Sequence, residues 1–240
     1  MKPFLYKFFH NETNDQSEKG LVHISSDHTK WPKAWKEVQY KERTLYQVIP
    51  LAEVDGDFKD LARKRVTTPG AGEVPISLDS LAYILECGMG VRNQTDKKRF
   101  SPSGGGRYPL EAYIILFRAV DGLLPGIYHY LIQTHELEIV RIRSFAEEEI
   151  TNFSSYKWLS SAQGIICLSA VFERSVQKYG SRAYRYILQE AGHVGQNMLL
   201  ASTEQHVSLI PIGGFNEVLV EELIGLGSSA EKIVYALYIQ

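Results

Sequence analysis

Residues 164–171 read Gly-Ile-Ile-Cys-Leu-Ser-Ala-Val, a continuous apolar run without a charge. Such a run reads as a central strand, and a central strand demands neighbours. The sequence supplies them. Residues 110–118, 127–131, 137–142, 207–212 and 233–239 also read as strands. Asp121-Gly122 and Pro125-Gly126 mark a tight turn, and Gln133 to Glu136 forms another. Helices are expected over 58–64, 77–87, 144–153 and 218–224, with a long one from about Ser181 to Thr203. In the long helix Ala183, Ile187, Ala191, Val194 and Met198 recur at helical spacing. Ser77 can cap the 77–87 helix, Leu78, Leu81, Ala82 and Leu85 line one face, and Gly88 and Gly90 end it. Strands separated by helices, with one hairpin, imply a mixed sheet with helices packed against it.

Residues 1–55 differ in character. They are polar between Asn11 and Lys19, then rich in Trp31, Trp35, Tyr40 and Tyr46. This stretch reads as an irregular N-terminal arm with one or two short strands. Its aromatics are too many for a free tail, so it is expected to pack on the 56–240 core. Net charge is −2, which advertises no surface for nucleic acid. Cys87 and Cys167 both lie in apolar segments, which favours reduced, buried thiols over a disulfide and suggests a cytoplasmic home. No apolar run has the length of a membrane span, and the first ten residues lack the layout of a signal peptide.

Several chemistries lack their motifs. No Gly-x-Gly-x-x-Gly, P-loop, His-Glu-x-x-His or Gly-x-Ser-x-Gly occurs. Glu190-Ala-Gly-His193 is a single Glu-x-x-His, whereas a di-iron bundle needs two, so no metal is expected.

Four polar clusters remain. Arg63-Lys64-Arg65 is a solvated basic run or a phosphate clamp, since guanidinium groups match phosphate oxygens in pairs. Ser101-Pro-Ser-Gly-Gly-Gly-Arg-Tyr-Pro109 precedes a strand. Alone it is a flexible turn, but its bare backbone also lets a planar or anionic ligand approach. Lys178-Tyr179, at the N-terminal edge of the long helix, is an exposed helix entry or an acid–base pair, because an ammonium beside a phenol favours the phenolate. Pro211-Ile-Gly-Gly-Phe215 offers bare N–H groups directly after a strand. His193, between small and apolar neighbours, reads as a hydrogen-bonded structural residue.

Taken in order, these segments resemble SagB-type dehydrogenases of the nitroreductase superfamily, the flavin oxidases of azole-modified peptide biosynthesis. The resemblance rests on Ser101 to Glu111, Pro125-Gly-Ile-Tyr-His-Tyr130, Lys178-Tyr-Gly-Ser-Arg182, Tyr184-Arg-Tyr186, Glu190 to His193, Gln196-Asn197 and Pro211 to Phe215. Phe9-His10-Asn-Glu-Thr13 is similar to the family's opening segment. It implies an α+β, nitroreductase-like fold: a central mixed, mainly antiparallel sheet packed between helices. It implies FMN, a homodimer with flavin at the subunit interface, an azoline-containing precursor peptide and a partner cyclodehydratase. The implied reaction oxidises a thiazoline or oxazoline to the azole, with Lys178 and Tyr179 as the catalytic pair. Tyr179 is then the proton acceptor and Lys178 its tuner, or the reverse. Arg63, Arg65, Ser101, Ser103, Gly104, Gly213 and Gly214 become flavin contacts. Where family members carry Arg-Arg-Ser-x-Arg, this chain has Arg63-Lys-Arg-Val-Thr67, and Tyr238-Ile-Gln240 holds no basic residue. The phosphate then falls to Arg65, Arg107 or another basic group. Two other readings stand beside this one: a general NAD(P)H-dependent flavin reductase, and a flavin-containing scaffold subunit of a synthetase complex.

Overall fold

The apolar run is the strand around which the chain is built. The computed structural model describes residues 5–13, 28–36, 38, 40, 49–67, 75–95, 97–154 and 156–240. Six strands form one sheet: β3 (Leu110–Leu116), β4 (Gly126–Leu131), β5 (Glu136–Ile142), β6 (Gly164–Val171), β7 (Leu209–Ile212) and β8 (Glu231–Ile239). Their spatial order is β5-β4-β3-β6-β8-β7, and every neighbouring pair is antiparallel. A separate two-stranded ribbon pairs β1 (Val91–Asn93) with β2 (Lys98–Arg99) and leads into the Gly-rich loop.

Alternation along the central strands sends side chains to two cores. Leu110, Ala112, Ile114 and Leu116 of β3, with Ile166, Leu168 and Ala170 of β6, meet helices α4 (Leu78–Met89) and α7 (Ala183–Glu204). Ile115 and Phe117, with Ile165 and Cys167, meet α5 (Glu147–Asn152) and α8 (Glu217–Ile224) on the opposite face. The α+β architecture expected from sequence is therefore present, and the mixed sheet resolves into a wholly antiparallel one. All five apolar positions singled out in the long helix enter the first core.

Ser77 caps α4 as expected, its side chain accepting the Ser80 N–H at 3.0 Å. Ser77→Ala removes that acceptor and is expected to cost about 1 kcal/mol. In a chain of this size that lowers the thermal midpoint by roughly 2–4 °C, readable by calorimetry.

Two expectations change. The described part of the N-terminal arm holds helices α1 (Leu5–Glu12) and α2 (Lys33–Lys36), not strands. Tertiary contact explains α1: the Phe9 and His10 rings meet Tyr184 and Phe172 edge-on, at 5.8 and 5.7 Å between centroids. The arm's aromatics also pack less than expected, since Phe8, Phe9, Trp35 and Tyr40 are exposed. Tyr46 and residues 14–27 lie outside the described residues. The second change concerns Lys178 and Tyr179, which do not open the long helix. They close a separate helix, α6 (Glu173–Tyr179), that ends where Gly180 adopts φ 54°. That left-handed backbone is the position that glycine tolerates best. Both cysteines are free, Cys167 buried and Cys87 half-buried. No helix among the described residues is long and apolar enough to cross a membrane.

Candidate functional site

The Gly-rich loop and the Lys178-Tyr179 pair meet. Gly105 has φ +66°, and a Cβ built on it would collide with the Tyr179 hydroxyl and lie 2.9 Å from Lys178 Nζ. The two polar ends therefore converge on one backbone unit. Lys178 Nζ also lies 5.3 Å from the Tyr179 ring centroid, while the Tyr179 ring meets Tyr186 edge-on at 5.1 Å.

Loop and helix are strapped together in both directions. From the loop, Arg107 Nε donates to the Arg174 carbonyl at 2.6 Å. From α6, Arg174 Nη1 donates to the Tyr108 carbonyl at 3.2 Å and pairs with the Glu111 carboxylate. Within the loop, Ser103 Oγ accepts the Tyr108 N–H at 2.8 Å, and the Ser103 carbonyl accepts the Gly106 N–H at 3.0 Å. Arg107 is thus a fastening residue in this chain. Ser101 is buried, and its hydroxyl has no hydrogen-bond partner.

Glu190 completes this cluster from α7. It is only 3% exposed, and Ser103, Arg99 and Gly104 stand near enough to its carboxylate to favour the charged form. Burial pushes its pKa up to about 7, against the opposing pull of Ser103, Arg99 and Gly104. The sequence gives Glu190 as half of a metal motif and as part of the Glu190 to His193 segment of the resemblance, with no role of its own. The signal that marks it is its place in the stripe Ala183, Ile187, Glu190, Val194, where a carboxylate interrupts apolar residues at helical spacing. Arg174 and α6 were missed too. Their cues were Glu173 in the first turn, Lys178 in the last and Gly180 as the stop.

Gly213 and Gly214 belong to a different wall. Nothing lies within 4 Å of a Cβ built on Gly213, and the Gly214 carbonyl accepts from Ser154 Oγ at 2.7 Å. Gly213 lines a pocket of about 120 Å³ together with His10, Tyr184, Leu188 and Tyr235. Tyr184 and Tyr186 are two residues apart, roughly 200° around α7. The Gly213 pocket and the Gly104 turn therefore flank opposite faces of that helix. Arg63 and Arg65 form a third group at the end of α3 (Asp57–Lys64). Arg63 pairs with Asp60 at 3.4 Å and Arg65 donates to Thr67 at 3.2 Å. Since α3 packs beside Thr203, Glu204 and His206, at the far end of α7, these guanidiniums sit on the order of 30 Å from Tyr179. One chain thus gathers Ser101, Ser103, Gly104, Arg107, Lys178 and Tyr179, but neither the glycine pair nor the arginines. His193, expected to be held by hydrogen bonds, is exposed on α7. No cluster of metal-ligating side chains occurs among the described residues.

Comparison with known proteins places this architecture. The family description "Nitroreductase family" matches residues 64–239. The chain belongs to the nitroreductase family. A relative from Methanocaldococcus jannaschii, MJ1384, is 29% identical over 169 residues, 70% of this chain and 83% of that protein. The trifolitoxin-processing protein TfxB of Rhizobium leguminosarum bv. trifolii is 28% identical over 142 residues, 58% of this chain and 38% of that protein. Among solved structures, the E. coli microcin synthetase McbBCD complex with truncated pro-MccB17 bound includes a chain with TM-score 0.78. Identity there is 17%, covering 98% of this chain and 91% of that one. A nitroreductase-family structure from Desulfovibrio desulfuricans in complex with FMN aligns with TM-score 0.52 at 15% identity, covering 78% and 86%. This nitroreductase fold comes with an oxidoreductase class whose members generally bind FMN.

Proposed function

We propose that this nitroreductase is an FMN-dependent dehydrogenase that converts peptide thiazolines or oxazolines to thiazoles or oxazoles. The observation that carries the reading is the convergence of Lys178 and Tyr179 on Gly105 of the Ser101–Pro109 loop. An acid–base pair held against a loop of bare backbone suits abstraction of a proton from a flat heterocycle. The trifolitoxin-processing relative and the synthetase complex with bound pro-peptide support a peptide substrate and a cyclodehydratase partner.

The residues present fit a flavin. Ser101 offers a buried hydroxyl without a partner, and Gly213 opens its backbone to a ligand. A pocket of about 120 Å³ is smaller than the roughly 300–1,000 Å³ of ordinary ligand sites, so a complete site needs a further wall. A second copy of this chain would supply it, bringing the loop of one subunit to the glycine pair of the other. Exposed Leu5, Phe8, Phe9, Trp35 and Phe58 give such a homodimer apolar surface to cover. In this reading Ser101, Ser103 and Gly104 approach the cofactor from one subunit, Gly213 and Gly214 from the other, and Arg63 or Arg65 neutralises the phosphate. FMN, when bound, supplies hydride acceptance and reoxidation by oxygen. Tyr179 takes the ring α-proton, and Lys178 holds positive charge over it. The fixed loop keeps both side chains at one point, which orients the ring.

Purified protein is expected to be yellow, to release FMN on denaturation, and to remove two hydrogens per azoline ring from a model azoline peptide. Mass spectrometry reads the change. Unaltered azolines after incubation with FMN-loaded protein would overturn the reading.

A further inference from the structure

Helix α6 carries the Lys178–Tyr179 pair, yet of its seven residues only Ser175 and Val176 are buried. A helix this short has little stability of its own, so contacts with its surroundings decide how it sits. Arg174 supplies polar ones. Its Nη1 donates to the Glu111 carboxylate and, at 3.2 Å, to the Tyr108 carbonyl. Glu111 is a firm anchor. It stands on β3, which pairs with both β4 and β6, and its side chain is only 13% exposed. Its second carboxylate oxygen lies 3.4 Å from His129 Nε2 on β4. His129 Nδ1 in turn lies 3.4 Å from Glu138 on β5, and its ring stacks on Tyr113 at 4.8 Å between centroids. Three strands therefore hold the carboxylate that receives α6. Tyr108 is held as well, its N–H by Ser103 Oγ at 2.8 Å and its ring beneath the Arg99 guanidinium at 5.0 Å. One nitrogen of Arg174 thus registers α6 against the sheet and against the end of the Gly-rich loop.

We propose that Glu111 and Arg174 are positioning residues for the Lys178–Tyr179 pair, their ion pair seating α6 on the sheet so that both side chains meet Gly105. This rests on the reading of that pair as catalytic. Arg174 and Lys178 are four residues apart, so they share one face of the helix. Lys178 lies about 6 Å further along the axis, and a tilt of about 10° over that length moves it by about 1 Å. A misplacement of that size costs a reacting group about 10²-fold in rate. The Arg174 side chain is 39% exposed, and an ion pair so open to water adds little to global stability. What it adds is direction. An apolar contact would hold α6 to the sheet but let it slide, whereas a charge-assisted hydrogen bond fixes one atom against another.

The test combines turnover with amide hydrogen exchange over residues 176–180 in the full chain. Arg174→Met and Glu111→Ala are each expected to lower kcat for an azoline peptide by about 10²-fold, with KM and FMN content kept. Exchange in α6 should quicken by about tenfold in both, the scale of one lost charged hydrogen bond. Arg174→Lys keeps a charge and a nitrogen that can reach both acceptors, so it should restore most of kcat and of the protection. The double variant should lose no more than the deeper single one, because the two residues act as a unit. Glu111 is enclosed by strands, so Arg174→Met, half-buried on α6, keeps the test alive if Glu111→Ala does not fold. Unchanged exchange in the Arg174→Met protein would overturn the seating of α6, and additive losses in the double variant would overturn the ion pair as its cause. Faster exchange with wild-type kcat would overturn the link to the Lys178–Tyr179 pair. Exchange needs no azoline, so a wild-type protein that leaves azolines unaltered overturns the catalytic half alone and the seating is still read.

Discussion

Lys178→Ala and Tyr179→Phe are each expected to lower azoline oxidation by about 10²- to 10⁴-fold, the range for a positioned acid–base group. FMN content should not change, because neither side chain belongs to the groups proposed to hold the cofactor. The two substitutions differ in what they remove. Tyr179→Phe deletes the hydroxyl but keeps the ring that packs on Tyr186 and lies 5.3 Å from Lys178 Nζ. Lys178→Ala deletes the charge and the packing of its stem together. A deeper loss in Tyr179→Phe, with KM unchanged, assigns the proton to the phenol. A deeper loss in Lys178→Ala reverses the roles. Full azole formation by both variants, with FMN bound, would remove the pair from the mechanism. Intact assembly into a synthetase complex without turnover would argue against a scaffold role and for an enzyme.

The fold was legible where burial writes a simple pattern. The apolar run 164–171 is β6, buried along nearly its whole length, and the stripe from Ala183 to Met198 is the core face of α7. What sequence concealed depends on partners far along the chain. Helix α6 has seven residues, of which only Ser175 and Val176 are buried, and it is held in place through Arg174 and the loop. No local periodicity announces such a helix. Glu190 was hidden for a related reason: Ser103 and Gly104, which act on its carboxylate, lie 87 and 86 positions away. The site was legible as a set of segments but not as a shape. The sequence order of the clusters carries no sign that α7 separates the glycine pair from the loop, or that Arg63 and Arg65 lie at its other end.

Gly105→Ala is expected to cut turnover by about 10²-fold, the scale of a misplacement of roughly 1 Å at a reacting group. Two costs arise together. The backbone sits at φ +66°, where an L side chain loses roughly 1–2 kcal/mol. The new methyl group also occupies the space of the Tyr179 hydroxyl and stands 2.9 Å from Lys178 Nζ. Tyr179 must move, and its packing on Tyr186 moves with it. Gly106 provides the control. It has φ +65°, so Gly106→Ala carries the same backbone strain, but nothing lies within 4 Å of its added Cβ. Gly106→Ala should lose roughly 2–8 °C of thermal stability from the shared strain, and Gly105→Ala at least as much. Turnover should fall in Gly105→Ala and be largely kept in Gly106→Ala. Equal losses of turnover in the two would mean that loop strain governs activity and that the contact with Tyr179 does not. A normal Gly105→Ala enzyme would mean that the pair tolerates displacement, which a proton-abstracting pair held at one point does not.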